Sequence, residues 1–213
     1  MTPVGVASGA LTPAAFAEAT GVSRETLERL QGYAALLVKW QKTINLVARD
    51  SLADLWRRHF LDSAALWPLI PQGRRVLVDL GSGAGFPGLV LAIMGFADVH
   101  LIESDTRKCA FLAEAARLFA PNQVTIQRGR IESVEAVPAD IVTARALADL
   151  DTLAGYAARF LKPDGICLFP KGRQGEHELT LAGQRWTMAV ERFPNPAESS
   201  GILFRIKGLH RRP

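Results

Sequence analysis

The chain has 213 residues, 48% apolar and 22% charged, a balance that excludes disordered and collagen-like classes and suits one sizeable α/β domain or one domain with a small appendage. Its 25 Lys and Arg against 21 Asp and Glu leave a formal charge of +4, an excess too modest to demand a nucleic-acid partner by itself. Only two cysteines, Cys109 and Cys167, stand far apart with no metal-ligand neighbours, which argues against a disulfide framework or a zinc site.

The opening stretch, residues 1–21, has no basic region ahead of an apolar run, so no signal peptide is expected, and no apolar stretch reaches the roughly 18 residues needed to cross a bilayer. Two thiols kept reduced in a cytoplasmic protein, with no metal and no membrane partner, is the expectation. Thr12 and Pro13 read as an N-cap followed by Pro at the first helical position, opening a short helix that Gly21 ends. Ser23 caps a longer helix with Glu25 in its first turn, and Leu27, Leu30, Ala34, Leu37 and Gln41 repeat at helical spacing. Ser51 followed by Asp54 resembles a capping box for a third helix running towards Pro68.

From Arg74 the pattern turns to alternating strand and helix. Val76–Leu80 is a short, nearly continuous apolar run of the kind a doubly covered parallel strand requires. Strands are expected at 99–102, 124–126, 140–144 and 166–169, with helices at 87–94, 107–119 and 150–161. The last of these helices stops at Lys162-Pro163-Asp164-Gly165, a turn in which Gly165 would take positive φ. A helix at 176–181 follows, and then strands at 188–193 and 202–206 whose connection is too short for a parallel crossover. The expected architecture is therefore an N-terminal helical segment, residues 1–73, packed on an α/β core of residues 74–213. That core would hold a mostly parallel seven-stranded sheet ending in an antiparallel hairpin, the Rossmann-like class I methyltransferase variant.

The segment from Asp79 to Gly88 supports two readings. Gly83, Gly85 and Gly88 fit the dinucleotide fingerprint, and Gly81, Gly83 and Gly85 fit the loop that binds S-adenosylmethionine. Asp79 discriminates: a carboxylate there repels a pyrophosphate and attracts a sulfonium and an ammonium. Glu103 closes the second strand about 20 residues on, where an acid accepts hydrogen bonds from ribose hydroxyls. Ser82, Phe86 and Ser104 join the expected cofactor set, and Arg130, Ile131 and Glu132 would flank the adenine, Ile131 on its face and Glu132 on a polar edge.

The segments Lys39-Trp40 with Ile44-Asn45-Leu46, Arg58-His59-Phe60-Leu61-Asp62-Ser63, Asp79 through Gly88, Thr143-Ala144-Arg145-Ala146 and Pro170-Lys171-Gly172 occur in that order. In them the chain resembles the RsmG (GidB) family of bacterial small-subunit ribosomal RNA guanine-N7 methyltransferases, over about residues 27–207. The resemblance implies methyl transfer from S-adenosylmethionine to N7 of a guanine in the 530 loop of 16S ribosomal RNA, position 527. It also implies cofactor contacts from the backbone around Gly81 and Phe86, from Ile131 and Glu132, and from Arg145. The chain departs from the family at Ile44, where Tyr is common.

Guanine N7 carries a lone pair and no proton, so its attack on a methyl carbon needs no general base, and no constellation of base residues stands out. Arg145 is the expected positioning residue, fixing guanine O6 or the cofactor; the structural alternative is an ion pair with Asp79 or Glu103. His59 shares a helical face with Asp62 and is read as a wall of the pocket, not a base. Asn45, Arg58, His59, Lys171 and Lys207 are the expected RNA contacts, with 16S RNA or the small ribosomal subunit as partner and a monomer as the working unit. A nicotinamide oxidoreductase, or a methyltransferase of small molecules or proteins, is the alternative.

Overall fold

The computed structural model describes residues 9–213; the first part of the stretch read for a signal peptide lies outside the described residues. Helix α1 (Pro13–Thr20) begins where Thr12 Oγ1 accepts from the Ala15 amide at 3.2 Å, and it ends at Gly21 with φ +68°. Helix α2 (Arg24–Trp40) is capped by Ser23 in the same way and buries Leu30, Tyr33, Ala34 and Leu37. Gln41, at the end of its stripe, organises the chain that follows: its Oε1 accepts from the amides of Leu46 (2.9 Å) and Val47 (3.0 Å), and its Nε2 donates to Val47 O (2.8 Å).

The expected capping box at Ser51 does not form. Residues Arg49–Asp54 make a 3₁₀ turn in which Ser51 Oγ donates back to Ala48 O at 2.6 Å. Asp54 instead reaches across to α1, accepting from the Leu11 amide at 2.8 Å and from Arg57 Nε at 2.9 Å. The helix continues as a π turn, Trp56–Leu61, and the short α3, Asp62–Ala64. The extra residue of a π turn rotates the side chains after it, and such turns cluster at functional sites.

Seven strands form one sheet in the order β3-β2-β1-β4-β5-β7-β6. They are β1 (Val76–Leu80), β2 (Asp98–Glu103), β3 (Val124–Arg128), β4 (Ala139–Ala144), β5 (Leu161–Lys171), β6 (Trp186–Pro194) and β7 (Ile202–Arg211). β1 to β5 pair parallel, and β7 inserts antiparallel between β5 and β6. The crossovers carry α4 (Gly88–Ile93), α5 (Thr106–Phe119) and α6 (Leu150–Ala157), and α7 (Gly175–Ala182) precedes the hairpin.

Helix α6 stops at Ala157, earlier than expected, and Leu161 already pairs with Ala139 in the sheet. The register then jumps from Ala139 with Leu161 to Ile141 with Ile166, so Lys162–Gly165 is a bulge inside β5 rather than a turn before it. Gly165 is not among the positive-φ glycines. It is needed for closeness: a Cβ there would stand 2.8 Å from Leu161 Cδ2 and 3.0 Å from the carbonyl of Ala139.

The central strands β1 and β4 are covered on both faces, which explains their nearly continuous apolar runs. Leu77, Leu101 and Ile141 share one core with α2, α4, α5 and the aromatic cluster of Tyr33, Phe60, Phe86 and Phe111. Val78, Leu80, Ile102, Val142 and Cys167 face a second core with α6 and α7. The N-terminal helices therefore complete the main core, and Asp79, alternating with Val78 and Leu80, lies fully buried beneath them.

At the start of α4, a Cβ on Gly88 would stand 2.5 Å from Leu101 Cδ2 and 2.8 Å from Asp79 Cβ. Gly88→Ala is expected to lower stability by about 1–3 kcal/mol through overpacking, read as a shift of the urea midpoint with an unchanged slope.

Candidate active site

A cavity of about 1040 Å³ opens at the C-terminal ends of the parallel strands, where open α/β sheets bind their ligands. The loop after β1 lines its floor with Gly81, Ser82, Gly83, Ala84 and Phe86 and contains three left-handed glycines, Gly81 (φ +63°), Gly83 (φ +57°) and Gly85 (φ +93°). These are conformations that other residues adopt only at a cost of roughly 1–2 kcal/mol. A Cβ on Gly81 would strike Leu147 at 2.7 Å, and one on Gly85 would strike Tyr33 Oη at 2.9 Å. Gly83 differs. The nearest atom to its absent Cβ is Gly81 O at 3.9 Å, so the space above it is open to the cavity.

Glu103 is tied to this loop. Its Oε2 accepts from the Gly83 amide at 2.9 Å, and its Oε1 accepts from the amides of Ser104 (2.7 Å) and Asp105 (2.8 Å). The carboxylate is 8% exposed, pinned in one orientation on the cavity wall. Ser82 lines the cavity as well, its amide donating to Ile102 O at 2.9 Å and its hydroxyl to Asp79 O at 3.0 Å.

Asp79 and Gly85 do not line the cavity. Asp79 sits behind the loop, accepting from Thr143 Oγ1 at 2.7 Å and from the Gly88 amide at 3.3 Å. Burial pushes its carboxyl up to about 6 against the pull of these hydrogen bonds. Its expected role as a direct counter-charge therefore becomes a structural one: it joins the strand-four residue Thr143 to the start of α4, and its charge acts on the cavity only through the loop.

Opposite Glu103, Arg130, Ile131 and Glu132 form a second wall. Ile131 is 8% exposed, and Arg130 and Glu132 reach solvent. Helix α6 holds this turn: Tyr156 Oη donates to Glu132 Oε1 at 2.7 Å, and the Arg159 guanidinium donates to the carbonyls of Ile131 and Val134.

Arg145 has neither of the ion-pair partners expected of it. Its guanidinium, 19% exposed, lies 3.5 Å from Asp62 Oδ2, donates to Arg58 O at 3.1 Å, meets His59 Nδ1 at 2.7 Å and stacks 5.2 Å from the centre of the Phe86 ring. A guanidinium has no acceptor, so Nδ1 presents its lone pair and the His59 proton sits on Nε2, which donates to Ser51 Oγ at 2.7 Å. Burial and the Arg145 charge together push His59 down to about 3. It is neutral at every working pH and has no free nitrogen, which agrees with reading it as a wall and not a base. His59 and Asp62, read as sharing a helical face, are joined through Arg145.

Asp62 is held from the far side of the molecule, its Oδ1 accepting from Asn195 Nδ2 at 2.6 Å. Burial raises its carboxyl, and the Arg145 charge opposes that rise. Asn195, in the loop between β6 and β7, is 6% exposed and carried no signal in the sequence, because its partner lies 133 positions away.

Of the expected RNA contacts, Arg58 and His59 line the cavity, Arg58 exposed and 3.5 Å from Asp50. Asn45 lies outside the lining, exposed and accepting from Gln41 Nε2, although Leu46 and Val47 beside it reach the wall. Lys171 lines the cavity, but its ammonium is engaged, 2.6 Å from Glu178 and 2.7 Å from Ala148 O. Lys207 pairs with Ile166, five residues before Lys171 along β5, which puts it about 17 Å from the cavity end of the sheet. It binds Glu191 at 3.2 Å instead.

Tyr33, Leu147, Tyr156 and Asn195 were not singled out from the sequence. Each acts across chain distances that local pattern does not encode. Among the described residues no helix is long and apolar enough to cross a membrane, and no cluster of three or more His, Cys, Asp or Glu is arranged to hold a metal.

The GidB family, described as rRNA small subunit methyltransferase G, matches residues 26–199. The chain is 62% identical over 195 residues to the ribosomal RNA small subunit methyltransferase G of Rhodospirillum centenum, covering 91% of this chain and 89% of that protein. It is 56% identical over 192 residues to the protein of that name from Paramagnetospirillum magneticum, with 90% and 93% covered. Among solved structures, a putative O-methyltransferase from Klebsiella pneumoniae shares the fold with a TM-score of 0.57 at 15% identity, over 84% of this chain and 90% of that one.

The neutral His59 has a measurable signature. The unfolded chain takes up a proton near pH 6.5 that the folded His59 refuses down to about pH 3, so this contribution is fully present above 6.5 and is lost as pH falls. Between pH 7 and 5 the loss is about 2 kcal/mol. Urea unfolding of the wild type should show this loss relative to His59→Gln, whose amide can still bridge Arg145 and Ser51; equal pH dependence of the two proteins would refute a neutral His59.

Proposed function

The chain belongs to the GidB family of rRNA small subunit methyltransferases, and on that premise we propose that it transfers a methyl group from S-adenosylmethionine to N7 of a guanine in 16S ribosomal RNA, at position 527 in the 530 loop. The observation that carries this reading is one continuous cavity with two differently built ends. At one end stand the Glu103–Gly83 cradle and the Ile131–Glu132 wall, and at the other the Arg145, His59 and Asp62 network.

The first end fits the cofactor. The open space over Gly83 is a slot that a Cβ would fill. Glu103 holds the ribose hydroxyls, Ile131 packs on the adenine face, and Glu132, oriented by Tyr156, meets its amino edge. Ser104 and Arg130 flank the same end. The bound cofactor supplies an electrophilic methyl group on a sulfonium, and the Asp79 charge beneath the loop favours that cation at a distance.

At the second end the histidine and the aspartate beside Arg145 are both engaged. His59 is neutral with both nitrogens engaged, and Asp62 is shared by Asn195 and Arg145. An exocyclic amine or a hydroxyl would need a proton acceptor; N7 needs in-line placement and exclusion of water. Phe86, with Arg145 stacked on its ring, and Leu147 add apolar surface to the cavity lining. A nicotinamide oxidoreductase has no such support, because the Asp79 charge under the loop opposes a pyrophosphate.

We further read residues 1–73 as an RNA-facing platform on the 74–213 catalytic core, acting as a monomer in the cytoplasm. The exposed Arg58 and Asn45 stand on that platform.

Mass mapping of 16S RNA from a strain lacking this protein should show the 530-loop guanine unmethylated, and full methylation there would refute the target. Gly83→Ala should lower stability by only about 1 kcal/mol, the cost of its left-handed φ. Calorimetry should nonetheless show at least a 100-fold loss of S-adenosylhomocysteine affinity, and retained affinity would remove Gly83 from the cofactor site.

A further inference from the structure

The second end of the cavity holds one carboxylate with no structural task. Glu198 lies in the loop between β6 and β7 and lines the cavity beside Asn195 and Gly172. The loop is well tied: Glu198 N donates to Asn195 O at 3.2 Å, Gly201 N to Glu198 O at 2.9 Å, and Asn195 itself is clamped to Asp62. The two carboxylate oxygens lie 3.8 and 3.9 Å from where a Cβ of Gly172 would stand, so the carboxylate overhangs the bare Cα of Gly172.

The neighbouring polar groups are engaged. Ser51 serves His59, Asp62 serves Asn195 and Arg145, Asn195 Oδ1 accepts from the Ala197 amide, and Lys171 serves Glu178 and Ala148 O. Glu198 accepts only a 3.2 Å hydrogen bond from Ser200 and makes no ion pair among the described residues. Its lone pairs are available to a ligand.

We propose that Glu198 selects the target base, its two oxygens accepting from N1–H and the N2 amino group of guanine while the base lies against the Gly172 face. This rests on the guanine reading above. Guanine presents two adjacent donors on its Watson–Crick edge, whereas adenine and cytosine present a ring-nitrogen acceptor there that a carboxylate repels. The same contact favours the reaction. As the N7–carbon bond forms, the carbon–sulfur bond breaks with its electron pair leaving on sulfur, and the positive charge moves onto the base. N1–H and the amino group become stronger donors as that charge develops, so their hydrogen bonds to the anion tighten in the transition state, and no proton need leave.

The test uses small-subunit particles reconstituted with guanosine or inosine at the target position. Inosine keeps N7, O6 and N1–H and lacks only the N2 amino group. Wild type should favour guanosine over inosine in kcat/KM by about tenfold or more. Glu198→Gln and Glu198→Ala should lower the guanosine value by about 100-fold and bring the ratio near one, with unchanged S-adenosylhomocysteine affinity reporting an intact fold. Gly172→Ala, whose Cβ would make only ordinary contacts, should raise KM on guanosine by filling the slot. A guanosine-to-inosine ratio that stays at the wild-type value in both Glu198 variants overturns the proposal alone. A wild type that forms no N7-methylguanosine on the guanosine particles overturns the guanine reading and this proposal with it.

Discussion

The site depends on one partly buried cation. The Arg145 guanidinium follows the C-terminal end of β4, and its partners come from two other segments: Asp62, His59 and the Arg58 carbonyl on one side, the Phe86 ring of the glycine loop on the other. A largely buried guanidinium without partners would be costly, and the carboxyl that meets it, at 3.5 Å, is that of Asp62. Asn195 aims it, which brings the terminal hairpin into the same network. Three segments distant in sequence are thus held in register by the need to satisfy a single guanidinium.

That need also sets the chemistry available. Because Arg145 approaches Nδ1, the imidazole of His59 is fixed in the tautomer that protonates Nε2, and its charge state is fixed as neutral. The histidine read in the sequence as a wall of the pocket thus has both ring nitrogens engaged by its neighbours. Lys171 is likewise neutralised by Glu178 and fastens the 145–148 loop through the Ala148 carbonyl. At the end of the cavity near Asn195, Arg58, Arg145 and Lys171 each lie beside a carboxylate, and the carboxylate of Glu198 makes no ion pair among the described residues.

Much of this was legible in the chain. The caps at Thr12 and Ser23, the apolar run of β1, the strand-helix alternation and the short final connection follow from local chemistry, and the structure realises them as a parallel sheet with an antiparallel end. The capping box at Ser51 failed because Asp54 found a better partner in the Leu11 amide, a contact across 43 residues. The turn at Lys162–Gly165 became a bulge because Leu161 was already paired to Ala139. Lys207 looked like the other basic residues but emerged at the far end of the sheet, since strand direction decides which end of a strand meets the cavity.

By itself the sequence determined the order of elements, the left-handed glycine loop and the acid that closes the second strand, because turn geometry, pleat and helix periodicity are properties of neighbouring residues. Only the tertiary structure decided that Asp79 lies behind the loop, that His59 is neutral, that Asn195 orients Asp62 and that Glu198 overhangs Gly172. Each of those facts is a matter of burial and of hydrogen-bond partners drawn from distant parts of the chain. Desolvation and pairing act on atoms that are close in space, and closeness in space is what folding adds to the sequence.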